Sequence, residues 1–124
     1  MRRILMIMAL VALVAVPFAV HAKEAAKAAK SVTLSGEIVD TGCYLGHGAK
    51  GEKHKECATK CINGGMPASL LTDKGELYLL LMDHEKPEAL TEAKGLAAEK
   101  VELTGTVVKG HGMMALNVTG VKKL

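Results

Sequence analysis

Hydrophobic and polar residues alternate in two segments of the chain that share one pattern. Residues 32–39 are VTLSGEIV and residues 101–108 are VELTGTVV, so both follow V-x-L-x-G-x-[IV]-V. Alternation with a period of two predicts half-buried strands, and the central Gly36 and Gly105 indicate where each strand bends or bulges. Two long strands that bend in the middle are what a small closed β-barrel requires.

Three further strands and one helix are predicted from the rest of the pattern. The apolar runs 68–72 and 76–82 form a hairpin, because the TDKG tetrapeptide between them supplies turn residues. Pro87 begins a helix of good helix formers that ends at Gly95. After the glycine-rich turn 109–112, residues 114–118 alternate again. Five strands with a helix between the third and fourth is the element order of the OB-fold. The predicted fold is therefore mainly β, an OB-fold-like barrel with one or two short helices.

The first 22 residues follow a different pattern, that of a secretory signal peptide. Arg2 and Arg3 precede an apolar run, residues 4–16, and the small residue Ala22 stands before Lys23; these are the parts that export machinery and signal peptidase recognise. The run is shorter than the roughly 20 apolar residues that a membrane span needs. We therefore predict cleavage after Ala22, a periplasmic or secreted protein, and no stable membrane insertion after cleavage. The alternative is a retained N-terminal anchor.

Cleavage would leave 102 of the 124 residues, enough for one domain. The Ala- and Lys-rich residues 23–31 suit a solvated spacer, and residues 32–124 form the predicted domain. The net charge falls from +3 to +1 without Arg2 and Arg3, and few aromatic residues remain. A nucleic-acid partner is not expected, because such proteins carry a basic face and stacking aromatics.

Segment 41–65, between the first two predicted strands, contains all three cysteines of the chain. Cys43, Cys57 and Cys61 fall within 19 residues, and an odd number cannot all pair within one chain. The same segment contains His47 and His54, which gives the spacing C-x3-H-x6-H-x2-C-x3-C. At least one thiol therefore needs a role other than an internal disulfide.

Residues 52–62 suit a short helix on which a histidine and two cysteines share one face. At 3.6 residues per turn, His54, Cys57 and Cys61 project within about 60 degrees of one another. Glycines in the preceding stretch predict a loop that folds Cys43 back toward this face. Three cysteines and one histidine are a composition that tetrahedral zinc favours, and thiolates also suit Cu(I) or iron.

The sequence thus predicts a metal site whose ligands are Cys43, His54, Cys57 and Cys61. His47, which falls in the predicted loop, is a fifth ligand, an alternative to His54, or a hydrogen-bond partner of a ligand. The bound ion would be soft or borderline, with zinc as the first choice and copper or iron as the others. Its role would be structural or in metal handling.

Three alternatives remain open. Cys43 could form a disulfide with Cys57 or Cys61, since cysteines four apart on one helix lie near the geometric limits for a bridge. Cys57 and Cys61 could serve a thiol-disulfide oxidoreductase, although such catalysts favour C-x2-C. The barrel could also be a plain partner-binding OB module. Nucleophile-elbow and P-loop motifs are absent from the sequence, which favours a binding module over an enzyme.

The cysteine-histidine segment also resembles a known group of sequences. Residues 43–51, CYLGHGAKG, followed by H-x2-C-x3-C at 54–61, are similar to a signature of small exported bacterial proteins, mostly uncharacterised. The likeness continues through residues 64–67 and 70–75 and covers about half of the mature chain. The resemblance implies an envelope protein with a Cys/His site on a small β-barrel and leaves an envelope protein as a candidate partner. It implies no particular reaction.

Overall fold

The computed structural model describes residues 30–124. The strands are β1 (Ser31–Asp40), β2 (Ala68–Thr72), β3 (Leu77–Met82), β4 (Lys100–Gly110) and β5 (Met113–Lys123), and the helices are α1 (Thr41–His47), α2 (Lys55–Asn63) and α3 (Pro87–Lys94), with a 3-10 turn at Glu52–His54 before α2. The predicted signal peptide, and the predicted spacer up to residue 29, lie outside the described residues. Within the described part, no helix is long and apolar enough to span a bilayer.

The barrel closes on β1, which pairs with two other strands. Residues 36–40 pair antiparallel with β2, and residues 31–37 pair antiparallel with β4. The last strand, β5, lies between β3 and β4, parallel to the first and antiparallel to the second. This gives the closed order β1-β2-β3-β5-β4, with α3 between β3 and β4 in the sequence. The predicted mainly β, five-stranded OB-fold-like barrel is confirmed.

The two glycines of the shared strand pattern lie where strands approach each other most closely. A β-carbon on Gly36 would overlap the carbonyl oxygen of Leu71, and one on Gly105 would overlap that of Asn117. The register of β4 against β5 also shifts between Thr104 and Gly105. The predicted irregularity is therefore confirmed at Gly105, and at Gly36 the structure shows a close approach between strands.

The core fills the barrel and extends under two helices. Its interior side chains come from all five strands, and the largest fully buried aliphatic ones are Ile38, Leu70, Leu103, Leu116, Val39, Val101 and Val118. Helix α2 joins the core through Ala58 and Ile62, whose side chains are almost completely buried. The segment of interest is thus packed on the barrel as part of the same core.

The structure differs from the prediction between residues 41 and 47, where a helix replaces the expected loop. The Asp40 carboxylate caps this helix by accepting a hydrogen bond from the Cys43 N–H at 2.6 Å. Gly48, with a φ of 68°, ends it in the left-handed conformation and donates its N–H to the Tyr44 carbonyl. An aspartate before the segment and a glycine after it are the signals of a helix, and their effect outweighs that of the glycines inside. His47 is therefore the last residue of α1.

Candidate metal centre

The three cysteines and His54 meet where β1 ends. Cys43 lies on the first turn of α1, which follows β1 directly, whereas Cys57 and Cys61 lie one turn apart on α2. Each cysteine of α2 is followed by a residue whose side chain is buried in the core, Ala58 or Ile62. Packing of that face fixes the rotation of α2, so both thiols sit beside the barrel end that carries Cys43.

Two contacts hold the segment between α1 and α2 against the barrel. The Gly51 N–H donates a hydrogen bond to the buried Glu37 carboxylate of β1. The Lys55 ammonium, at the start of α2, lies 2.5 Å from the Glu99 carboxylate. The hydrogen bond from Lys55 is the main cause that lowers the pKa of Glu99 below its ordinary value. His54, between these two anchors, is thereby brought back toward Cys43.

Ligand-type atoms form two groups that share one thiol. Those of Cys43, His54 and Cys57 all lie within 4.8 Å of one another, and so do those of Asp40, Cys43 and Cys61. A zinc ion with Zn–S bonds of about 2.3 Å holds two sulfurs about 3.7 Å apart in tetrahedral geometry. Side-chain shifts of about 1 Å would therefore bring the donors of either group onto one ion. The predicted cysteines and His54 are brought together, with Cys43 at the centre.

Asp40 is a member of this cluster that sequence reasoning missed. Its side chain is fully buried, and one oxygen accepts the capping bond from Cys43 while Oδ2 has no hydrogen-bond partner. The signal in the sequence was an aspartate at the end of a strand, three residues before the first cysteine. Such a residue is ordinarily a helix cap, and only its burial beside two thiols shows a second role.

Within residues 30–124, two buried side-chain oxygen or nitrogen atoms lack a hydrogen-bond partner, and both belong to this cluster. They are Asp40 Oδ2 and His54 Nε2. Buried polar groups are nearly always hydrogen-bonded, because an unpaired one costs the free energy of its lost hydration. A cation among these side chains would compensate that cost. The residues present therefore fit a metal ion, because they offer the atom types that metal ions bind and two of these atoms have no other partner.

Two of the three thiols, Cys43 and Cys61, hold their protons more tightly than ordinary thiols, because the pKa of each is raised. Hydrogen bonding to the Asp40 carboxylate, followed by burial and nearby negative charge, raises the pKa of Cys43 to about 12. Burial is the largest cause that raises the pKa of Cys61, followed by hydrogen bonding to Cys57. An ion that binds here must displace these protons. All three cysteines are free thiols in the structure.

His47 lies apart from the cluster. Its side chain is exposed in the last turn of α1, and it belongs to neither group of ligand-type atoms. A histidine at this end of a helix interacts favourably with the helix dipole when protonated. Which of these side chains bind an ion stays a prediction, and the structure favours His54 over His47.

The fold and the cluster together define a small OB-fold-like barrel with a candidate Cys/His/Asp metal centre at the end of its first strand. No protein-family model, curated protein or solved structure matches this chain. The resemblance to small exported bacterial proteins stays a prediction.

Proposed function

We propose that this protein is an exported metal-binding module that holds one soft or borderline ion at the Cys/His/Asp centre. One observation carries the proposal: both unpartnered buried atoms of the described chain, Asp40 Oδ2 and His54 Nε2, lie among its three thiols. A purely structural cluster of hydrogen bonds would leave neither atom without a partner. We assign the module to the cell envelope, where its role is structural or in metal handling, with an envelope protein as a candidate partner.

Zinc is the ion that suits the donor set best. Zinc accepts thiolate, imidazole and carboxylate ligands in tetrahedral sites, whereas Cu(I) prefers sulfur alone. Asp40 supplies a hard oxygen and His54 a borderline nitrogen, so their presence shifts the preference away from copper. Iron remains compatible with thiolate and histidine ligands.

Export is proposed from the sequence. The basic head, the short apolar run and Ala22 support it. In an oxidising compartment the three thiols would need protection from oxidation. Metal binding would meet that need, because a bound thiolate is shielded from oxidation to a disulfide.

The thiol-disulfide oxidoreductase has weaker support. A catalytic thiol is activated by a lowered pKa, and the pKa of Cys61 is raised, chiefly by burial. Cys57 and Cys61 also lie close to a third thiol and two further donors, which such catalysis does not require.

A partner-binding OB module is a second candidate that one observation favours. A cavity of about 510 Å³ lies on the outer side of the barrel, and its apolar lining includes Leu45, Leu77, Leu79 and Met113. Helix α1 contributes Leu45 to this cavity and Cys43 to the metal centre. Both functions can therefore coexist on one barrel.

The test is native mass spectrometry with metal analysis on protein purified from the periplasm after expression of the full chain in a bacterium. We expect a mature chain that begins at Lys23 and carries one metal ion with three reduced cysteines. A metal-free chain with a Cys43 disulfide would overturn the metal assignment. Recovery of an uncleaved chain in the membrane fraction would overturn cleavage after Ala22 and favour the retained anchor.

A further inference from the structure

The metal centre is closed on one side and open on the other. Asp40 is completely buried, Cys43 and Cys61 are half-buried, and Cys57 is exposed. Solvent exposure thus rises across the cluster from the strand end toward the outer face of α2. An incoming molecule can reach the Cys57 thiol without any change in the barrel.

Met66 lies beside Gly42 at the closed side, although the residue itself is 43% exposed. Its Cε lies only 2.8 Å from the place where a β-carbon on Gly42 would stand, and Asp40 Oδ1 lies 3.4 Å from the same place. The Met66 N–H donates a hydrogen bond of 2.9 Å to the Cys61 carbonyl. The Thr41 N–H likewise donates to the Pro67 carbonyl at 2.9 Å. The segment that carries Met66 is therefore tied to both α1 and α2 over the Asp40 end of the cluster.

The two groups of ligand-type atoms follow the same division. The inner group consists of Asp40, Cys43 and Cys61, and the outer group consists of Cys43, His54 and Cys57. Because Cys43 belongs to both, an ion could move between them without losing this ligand. A closed structural zinc site has no such accessible edge, since its four ligands surround the ion.

We infer that this centre exchanges its ion directly with external thiol or imidazole donors at the Cys57 edge, while Asp40, Cys43 and Cys61 hold the ion from inside. The inference rests on the proposed metal-binding function and assigns that function to metal handling. The donor side chain or small molecule bonds to the ion as the bond to Cys57 breaks. When the donor is a thiol, it releases one proton and the Cys57 thiolate takes one up, so no electron is transferred.

Alkylation of the zinc-loaded mature protein tests the inference. Iodoacetamide should modify Cys57 first, and native mass spectrometry should show a singly alkylated chain that retains one zinc ion. Equal protection of all three thiols, followed by their joint modification with loss of zinc, would overturn the inference but leave the metal-binding function intact. A wild-type chain that binds no zinc would overturn both.

A matched pair of variants on one helix gives a second measurement. Cys57→Ser and Cys61→Ser remove thiols one turn apart, and zinc affinity is measured by competition with a chromophoric chelator. We expect Cys61→Ser to lose at least tenfold more affinity than Cys57→Ser. In the wild type, the rate of zinc transfer to the chelator should rise in proportion to chelator concentration. An equal loss in the two variants, or a rate independent of chelator concentration, would contradict exchange at Cys57.

Discussion

Replacing Cys43 by serine should damage the metal centre more than any other single change. Cys43 is the only residue common to both groups of ligand-type atoms in the described chain. Without its sulfur, Asp40 and Cys61 remain on one side and His54 and Cys57 on the other. The serine hydroxyl can still hydrogen-bond to the Asp40 carboxylate, so we expect the metal-free fold to change little in stability.

The size of the effect follows from the energetics of zinc binding. Zinc sites in small domains contribute about 10–16 kcal/mol at neutral pH, or about 2.5–4 kcal/mol for each of four ligands. Since 1.4 kcal/mol corresponds to tenfold in affinity, loss of Cys43 should weaken zinc binding by about 100-fold or more. At free zinc 1,000 times the wild-type Kd, the stabilisation by zinc would fall from about 4.1 to about 1.4 kcal/mol.

Thermal unfolding with and without zinc measures this difference. A change of 1 kcal/mol moves the Tm of a domain of this size by about 4–8 °C, so the zinc-induced increase in Tm should be about 10–20 °C smaller in Cys43→Ser. The metal-free Tm of the variant is the control for folding. An unchanged zinc-induced increase would refute the ligand set, because zinc would then bind without Cys43.

Three further variants test other parts of the structure. Asp40→Asn keeps the helix cap, because asparagine caps as well as aspartate, but it removes the negative charge. Calorimetric titration should then show zinc binding that is weaker by about tenfold or more, while the Tm of the metal-free protein stays unchanged or rises. Normal zinc affinity would mean that Asp40 only caps the helix. His54→Ala should weaken zinc binding by at least tenfold in the same titration, whereas the control His47→Ala should bind like the wild type; equal losses would count against the geometry. Gly105→Ala places a β-carbon against a backbone carbonyl oxygen and should lower the free energy of unfolding, measured in urea, by about 1–3 kcal/mol. The control Gly110→Ala has no atom within 4 Å of its new β-carbon and should leave the free energy of unfolding nearly unchanged. Similar values for both variants would show that the barrel relaxes at Gly105.

The barrel could be predicted from the sequence because each strand leaves a local signal. The shared V-x-L-x-G-x-[IV]-V pattern predicts both long strands, and its glycines occur where the wall cannot accept a β-carbon. The β4–β5 turn was also predictable, from the glycine-rich residues 109–112. In the structure His111 and Gly112 both have positive φ, the conformation that a two-residue hairpin turn requires. Alternation and turn chemistry are properties of neighbouring residues, so a single sequence contains them.

The metal centre was predictable only in part. Cysteine spacing and helical periodicity predicted that Cys57, Cys61 and His54 share a face, and the structure brings them together with Cys43. Asp40 could not be identified, because its role depends on burial that packing of α2 against the barrel creates. His47 was equally hard to assign, since its distance from the cluster depends on α1, whose capping signals compete with its internal glycines.

The order of the strands along the chain decides when the candidate metal centre can form during folding. β5 fills the gap between β3 and β4, and it follows the other four strands in the sequence. All five donors of the cluster occur before residue 62. As the chain is synthesised from its N-terminus, the thiols emerge well before the strand that closes the barrel. For that interval the cysteines lack the packing that half-buries Cys43 and Cys61 in the complete barrel, so they stay open to oxidants until β5 docks.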